Sequence, residues 1–264
     1  MARNEVPDVA RLYQAQSSHL RCRQAEPPMP HDLHPRRLRT YPGAPRVSLP
    51  GRDFEVDVPL GAVLSRRLST RAFTLAPMSL AIVGRLLHTG YGMRGYRRME
   101  GEWTYDRPCP SAGGRYPLEL YVAAQAVNGL PDGLYHYDAL AHELEQIHLG
   151  PVHASIADAT LDPELIRDAN LVFLISAVFQ RTMWKYGQRG YRYVWLEAGH
   201  LGQNLYLVAT ALDLGAVALG GFFDAEVNRV VRLPEGGEEE IIYLVTVGQP
   251  KAGRAEAPFR AVDE

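Results

Sequence analysis

The chain has 264 residues, 46% hydrophobic and 22% charged, enough to bury a sizeable core in one large domain or two small ones. Its 28 basic and 30 acidic side chains leave a formal net charge of −2, which excludes the basic field that a nucleic-acid partner requires. No charged segment leads into an apolar one at the N-terminus and no 18-residue apolar run escapes polar interruption, so the expectation is a cytoplasmic protein with no membrane contact.

Residues 1–56 hold eight prolines between Pro7 and Pro50, too many for a long helix or a central strand, and predict an irregular arm ahead of a body at 57–264. His19, His31 and His34 in that arm match no tetrahedral zinc spacing, and Cys22 and Cys109 form neither a metal motif nor a disulfide framework, so no metal is expected. In the body, Leu60–Arg67 reads as a helix. Met78–Leu87 reads as a second, from the stripe Leu80, Val83, Leu86 and Leu87. Leu118–Val127 alternates and reads as a strand, and Leu134–Tyr137 with Leu144–Ile147 as a hairpin. The unbroken apolar run Asn170–Phe179 predicts a strand buried on both faces. Residues 191–214 predict the longest helix, apolar nearly all round and hence a core or interface helix, with Gly215 as its stop signal. Ala216–Leu219 and Ile241–Val247 complete the strands. Hairpins and separate helix blocks favour α+β.

Three places suit a phosphorylated, flat ligand. If the chain is extended after Arg67, then Arg67, Ser69 and Arg71 share one side and present two guanidinium forks and a hydroxyl. Ser111, Ala112 and Gly113 precede the first strong strand, and Gly220 and Gly221 follow a short one. Each reads equally as a tight turn or as backbone open to a ligand. No Gly-x-Gly-x-x-Gly or Walker loop is present, so side chains would have to hold any phosphate. Glu197, His200 and Asn204 share a helix face, read as polar satisfaction within packing rather than as half of a di-metal site. No serine nucleophile elbow exists.

Lysine occurs only at Lys185 and Lys251 among the 28 basic side chains. An amine retained between Trp184 and Tyr186 in so arginine-biased a chain invites a chemical role, because a lysine can serve as a base where an arginine cannot.

The segments Arg67-Leu68-Ser69-Thr70-Arg71, Pro110-Ser111-Ala112-Gly113, Arg115 to Tyr121, Gly133 to Asp138 and Lys185-Tyr186-Gly187 occur in an order that continues through Leu196 to His200, Gly220-Gly221-Phe222 and Val247 to Pro250. Together they resemble the SagB-type dehydrogenases, the flavin-dependent azoline oxidases of the nitroreductase-like superfamily. The resemblance implies an α+β homodimer of nitroreductase-like fold, with a mostly antiparallel sheet, the long helix at the dimer interface and FMN at the subunit seam. It assigns Arg67, Ser69 and Arg71 to the flavin phosphate and ring, Ser111, Ala112 and Gly113 to the isoalloxazine, and Gly220 and Gly221 to its other side. Arg260, in preference to Arg254, is expected to complete the phosphate site. Leu68 departs from the pattern where many relatives carry a second arginine, for which Arg66 could substitute.

Lys185 and Tyr186 match the family's catalytic pair. The implied reaction turns thiazoline or oxazoline rings of a modified peptide into thiazoles or oxazoles: Lys185 as general base takes a ring proton, and hydride passes to flavin N5. A cyclodehydratase partner and oxygen as final acceptor follow from the resemblance. The alternatives are a NAD(P)H-dependent nitro- or quinone reductase, an oxidase of carrier-protein-bound azolines, and a flavin-free scaffold.

Overall fold

A computed structural model describes residues 9–18, 35–52, 57–99 and 102–251. Its centre is the strand β10 (Leu171–Val178), buried at all its positions. That burial explains the unbroken apolar run: a strand covered on both faces has no position for a solvated side chain. β6 (Leu118–Ala124) and β12 (Glu239–Pro250) flank it, both antiparallel. Outward from β6 lie β8 (Gly133–Asp138), β9 (Glu143–Leu149) and the short β1 (Arg46–Ser48), while β11 (Gly215–Leu219) closes the far edge. The order is β1-β9-β8-β6-β10-β12-β11, every neighbour antiparallel, and β2 (Phe73–Thr74) pairs with the end of β12.

Alternate side chains send two cores to opposite sides of the sheet. Leu118, Leu120, Phe173 and Ile175 pack against α3 (Leu80–Tyr91) and α7 (Arg189–Ala211). Tyr121, Val172 and Leu174 pack against α4 (Val152–Asp158), α5 (Glu164–Arg167) and α8 (Asp224–Val231). The fold is α+β with a mostly antiparallel sheet between helices, as expected. Among the described residues no helix is long and apolar enough to cross a membrane.

Several boundaries differ from the sequence reading. The helix expected from Met78 starts at Leu80, because Met78–Ser79 form β3, parallel to β7 (Val127–Asn128). For the same reason the strand expected through Val127 stops at Ala124, and Ala126 turns the chain at φ 51°. Gly215 is not the stop of α7: Asp213 takes the left-handed turn at φ 56°, and Gly215 opens β11, where a Cβ would fall 2.6 Å from Thr70 Cβ. The short α2 (Leu60–Arg66) forms as expected, whereas the hairpin β4 (Gly95–Met99) to β5 (Glu102–Asp106) and the small helices α4, α5, α6 (Gln180–Tyr186) and α8 were not anticipated. They are too short for apolar periodicity to register.

Within the proline-rich span, α1 (Val9–Gln16) forms and the backbone at Ser17 and Gln14 accepts bonds from Arg189 (3.2 Å) and Arg192 (2.7 Å) of α7. His19, Cys22, His31 and His34 lie outside the described residues.

The helix α7 presses on β12 so closely that a Cβ at Gly202 would lie 2.7 Å from Tyr243 Cε1. Gly202→Ala is therefore expected to lose about 1–3 kcal/mol through overpacking, read as a lowered urea midpoint at unchanged slope.

Candidate active site

β10 leads directly into α6, which buries Arg181 and Thr182 and turns Lys185 and Tyr186 outward one turn later. The helix is pinned at its root. Arg181 pairs with Glu119 Oε1 at 2.7 Å and donates to the carbonyls of Arg36 (2.7 Å) and Tyr116 (3.4 Å). Glu119 is held down to about 2: burial opposes its charge, but Arg181 and His136 overcome that penalty.

Facing α6 is the loop from Ser111 to Tyr116. Gly113 and Gly114 adopt φ of 60° and 61°, and Tyr116 follows at 48°. Ser111 Oγ stabilises this turn by accepting the Tyr116 N–H at 2.8 Å. A Cβ at Gly113 would sit 2.5 Å from Tyr186 Oη and 3.4 Å from Lys185 Nζ. Left-handed backbone and missing space both demand glycine there. The phenol and the amine thus converge on a bare stretch of main chain. Tyr186 packs edge-on against Tyr193 at 5.1 Å, and burial raises its hydroxyl pKa against the opposing charge of Arg115. Lys185 is exposed in the single chain, its Nζ 5.7 Å from the Tyr186 ring centroid.

One turn along α7 from Tyr193 lies Glu197, 2% exposed. Tyr91 donates to its Oε1 at 2.8 Å. Burial outweighs the lowering influence of its polar neighbours and lifts its pKa to about 7. A carboxyl raised from 4.5 to about 7 leaves stability intact below pH 4.5 and removes it as pH rises through 7. Glu197→Gln is expected to be more stable than the parent above pH 7, by on the order of 3 kcal/mol, and to show no advantage at pH 4.5 in urea titrations.

The arginine group lies toward the other end of α7. Ser69 bridges to Ala216 of β11, and the Thr70 N–H donates to the Ala216 carbonyl at 2.8 Å. Ser69 Oγ is 3.1 Å from Tyr206 Oη, and the Arg67 guanidinium lies 5.5 Å from that ring, without a carboxylate partner among the described residues. Arg71 is exposed. Arg66, expected as a substitute second arginine, instead pairs with Asp213 and donates to Thr210 O at 3.3 Å, because it closes the last turn of α2 against the end of α7. Gly220 is open, with no atom within 4 Å of an added Cβ, whereas Gly221 is packed on Leu161 and accepts its N–H at 3.0 Å. Arg254 and Arg260 lie outside the described residues.

The structure therefore brings Gly113, Lys185 and Tyr186 together and ties Glu197 to Tyr91 and Cys109. It records no contact between that group and Arg67 or Ser69 among the described residues. Tyr193 and Tyr206 are not among the sequence candidates; only the helical spacing of Tyr193 along the long helix could have pointed to it. An electropositive group, a glycine pair bare of side chains and an adjacent amine and phenol suit a flat, phosphate-bearing ligand.

A second polar centre lies on the opposite face of the sheet. His136 accepts or donates between Glu145 (2.9 Å) and Glu119 (3.3 Å), and although burial opposes its charge these bonds raise it to about 9. Arg39 pairs with Glu239, which also receives bonds from Tyr121 (2.9 Å) and Ser176 (2.6 Å). A cavity of about 910 Å³ opens beside Arg39, Arg181 and Glu239.

The family to which the chain is matched is a class of oxidoreductases. Residues 64–249 match the nitroreductase family, and the chain belongs to that family, whose members typically bind FMN. It is 36% identical to the nitroreductase-family protein MJ1384 of Methanocaldococcus jannaschii over 192 residues, 72% of this chain and 90% of that one. It is 27% identical to the microcin B17-processing protein McbC of Escherichia coli, over 49% of each chain. Among solved structures, a nitroreductase-like protein from Anabaena variabilis superposes with TM-score 0.67 at 30% identity, covering 80% of this chain, which spans 42% of that one. A chain of the E. coli microcin synthetase McbBCD complex with truncated pro-MccB17 bound shares the fold, with TM-score 0.61, 20% identity and 92% of each chain covered.

Proposed function

We propose that this protein is an FMN-dependent, SagB-type dehydrogenase that oxidises thiazoline or oxazoline rings of a modified peptide to thiazoles or oxazoles. The observation that carries the reading is the convergence of Lys185 Nζ and Tyr186 Oη on Gly113, residues 72 and 73 positions apart in sequence. Bound FMN supplies the hydride acceptor for such chemistry. Lys185 takes the ring proton, and Tyr186, steadied by Tyr193, orients the ring or relays that proton. Arg67, Ser69 and Arg71 hold the phosphate end, with Arg260 as a further contact; Ser111, Ala112 and Gly113 line the flavin, and Gly220 and Gly221 back it.

A homodimer completes the site in this reading. The outer face of α7 exposes Trp195 (44%) and Leu196 (61%), and the neighbouring α2 exposes Leu60 (65%) and Leu64 (52%), an apolar surface suited to a second copy. The similarity to the microcin B17-processing protein McbC supports a peptide substrate, and a cyclodehydratase partner belongs to the same reading. Residues 1–56 serve as an arm on the catalytic domain, joined to its sheet through β1.

The test incubates FMN-loaded protein with an azoline-bearing peptide and follows mass: loss of two hydrogens per ring is expected. Bleaching of the flavin band by NADPH, with the peptide unchanged, would instead establish the nitro- or quinone-reductase reading that the similarity to MJ1384 favours.

A further inference from the structure

The helix that presents Lys185 and Tyr186 is seven residues long, and the chain on either side of it is tied to the N-terminal arm. At its root, Arg181 Nε donates to the Arg36 carbonyl at 2.7 Å, and Glu119 Oε1, the partner of Arg181, accepts the Arg39 N–H at 2.9 Å. The Arg39 guanidinium pairs with Glu239, and the Tyr41 N–H lies 3.2 Å from Glu145 Oε1. Beyond α6, Arg192 donates to the Gln14 carbonyl at 2.7 Å and to Ser17 Oγ at 2.8 Å, while Arg189 donates to the Ser17 carbonyl at 3.2 Å. Tyr13 packs edge-on against Tyr191 at 5.3 Å, and Tyr191 stacks on Phe179, the residue before α6, at 4.7 Å. The Arg36–Arg181 and Gln14–Arg192 bonds join residues 145 and 178 positions apart, and together they bracket the helix.

Bracketing answers a local weakness. A helix this short does not hold its own shape in water, and α6 leaves through Gly187 at φ 53°, a turn that needs glycine. Bonds at both ends restrain it where its own turns cannot. The two arm segments are seated by different chemistry. The last carbonyls of α1 have no helical donors, and arginine supplies both the missing N–H and the charge that a helix C-terminus favours. No side chain of α1 is buried, so its seat on α7 rests on these contacts. Residues 36–41 are seated instead by main-chain N–H groups on the buried carboxylates Glu119 and Glu145. We propose that the N-terminal arm is a positioning clamp on α6, its two segments holding Lys185 and Tyr186 opposite Gly113. This rests on the reading of that pair as the reacting groups. The arm acts through Arg181, Arg189 and Arg192 and not on the ligand.

The test uses the full chain and two measurements. Arg192→Gln removes the bonds to Gln14 and Ser17, and Arg39→Gln/Glu239→Gln loosens the root while leaving no unpaired buried charge. Hydrogen–deuterium exchange of flavin-free protein, read by mass spectrometry, needs neither cofactor nor substrate. In each variant the amides of residues 183–187 should exchange about three- to tenfold faster, the opening that loss of one such hydrogen bond permits, while those of β10 keep the parent rate. The second measurement is steady-state azoline oxidation by FMN-loaded protein. There kcat should fall about three- to tenfold with KM within about twofold, since misplacing the amine weakens the transition state and not the binding of the peptide. Arg192→Lys, which keeps an N–H donor, should recover part of both effects.

Parent-like exchange of residues 183–187 in both variants, or faster exchange shared equally by β10, would overturn the proposal. So would loosened α6 with kcat unchanged. Absence of azoline oxidation by the parent itself would overturn the functional reading instead, while the exchange measurement still decides whether the arm holds α6.

Discussion

FMN-loaded Lys185→Ala should turn over an azoline peptide ~10²–10⁴-fold more slowly than the parent, the loss that accompanies removal of a positioned base. The substitution is suited to separating chemistry from folding because Lys185 is exposed and makes no ion pair among the described residues, so its truncation strands no buried charge. The flavin content of purified Lys185→Ala should match the parent, and its urea midpoint should stay within a few tenths of a molar unit. Tyr186→Phe removes the hydroxyl that faces Gly113 but keeps the ring packed on Tyr193, and its loss should be smaller. Single-turnover mass spectrometry reads both variants. Full turnover by flavin-loaded Lys185→Ala would remove the amine from the mechanism.

The largest expected loss of stability follows from Arg181→Met. Arg181 and Glu119 are 4% and 5% exposed, so removing the guanidinium leaves a carboxylate in the interior with only His136 and the Arg39 backbone N–H to satisfy it. Breaking such a buried pair costs about 3–5 kcal/mol. The double variant Glu119→Gln/Arg181→Met should regain much of that loss, because no uncompensated charge remains. Urea denaturation of the three proteins at pH 7 measures the cycle, and additive losses would show the pair to be uncoupled. The pH dependence has a definite sign on each side. The contribution of Glu119 is present above pH 4.5 and lost as pH falls through about 2; that of His136 is present below pH 6.5 and lost as pH rises through about 9. Arg181→Met also frees the root of α6, so azoline turnover should fall with it even where the protein remains folded.

The two halves of the site differed in how far local pattern could reveal them. Arg67 to Arg71 was visible as a motif, yet its packing on Tyr206 depends on a bridge to Ala216, nearly 150 residues away, which no local pattern contains. The glycines of the Ser111 loop left a turn and a ligand wall equally open. The answer is that the turn is left-handed and lies against Lys185 and Tyr186. The sequence reads Glu197 as polar packing, and the structure shows a buried carboxyl bonded to Tyr91. Its meaning depends on burial, which spacing along one helix cannot measure.

Composition and periodicity were enough to specify an α+β body with β10 at its centre and α7 as its main helix, because burial on both faces and along a helical stripe each leave a repeating apolar signature. The residue order alone also pointed to family membership. What folding in three dimensions decided was proximity: β10 delivers α6 to the mouth of the Ser111 loop, Arg181 fixes it there through Glu119, and burial raises the Glu197 carboxyl toward neutrality. Such convergence arises from strands and helices remote in the chain, and distances between remote residues are set by packing rather than by sequence spacing.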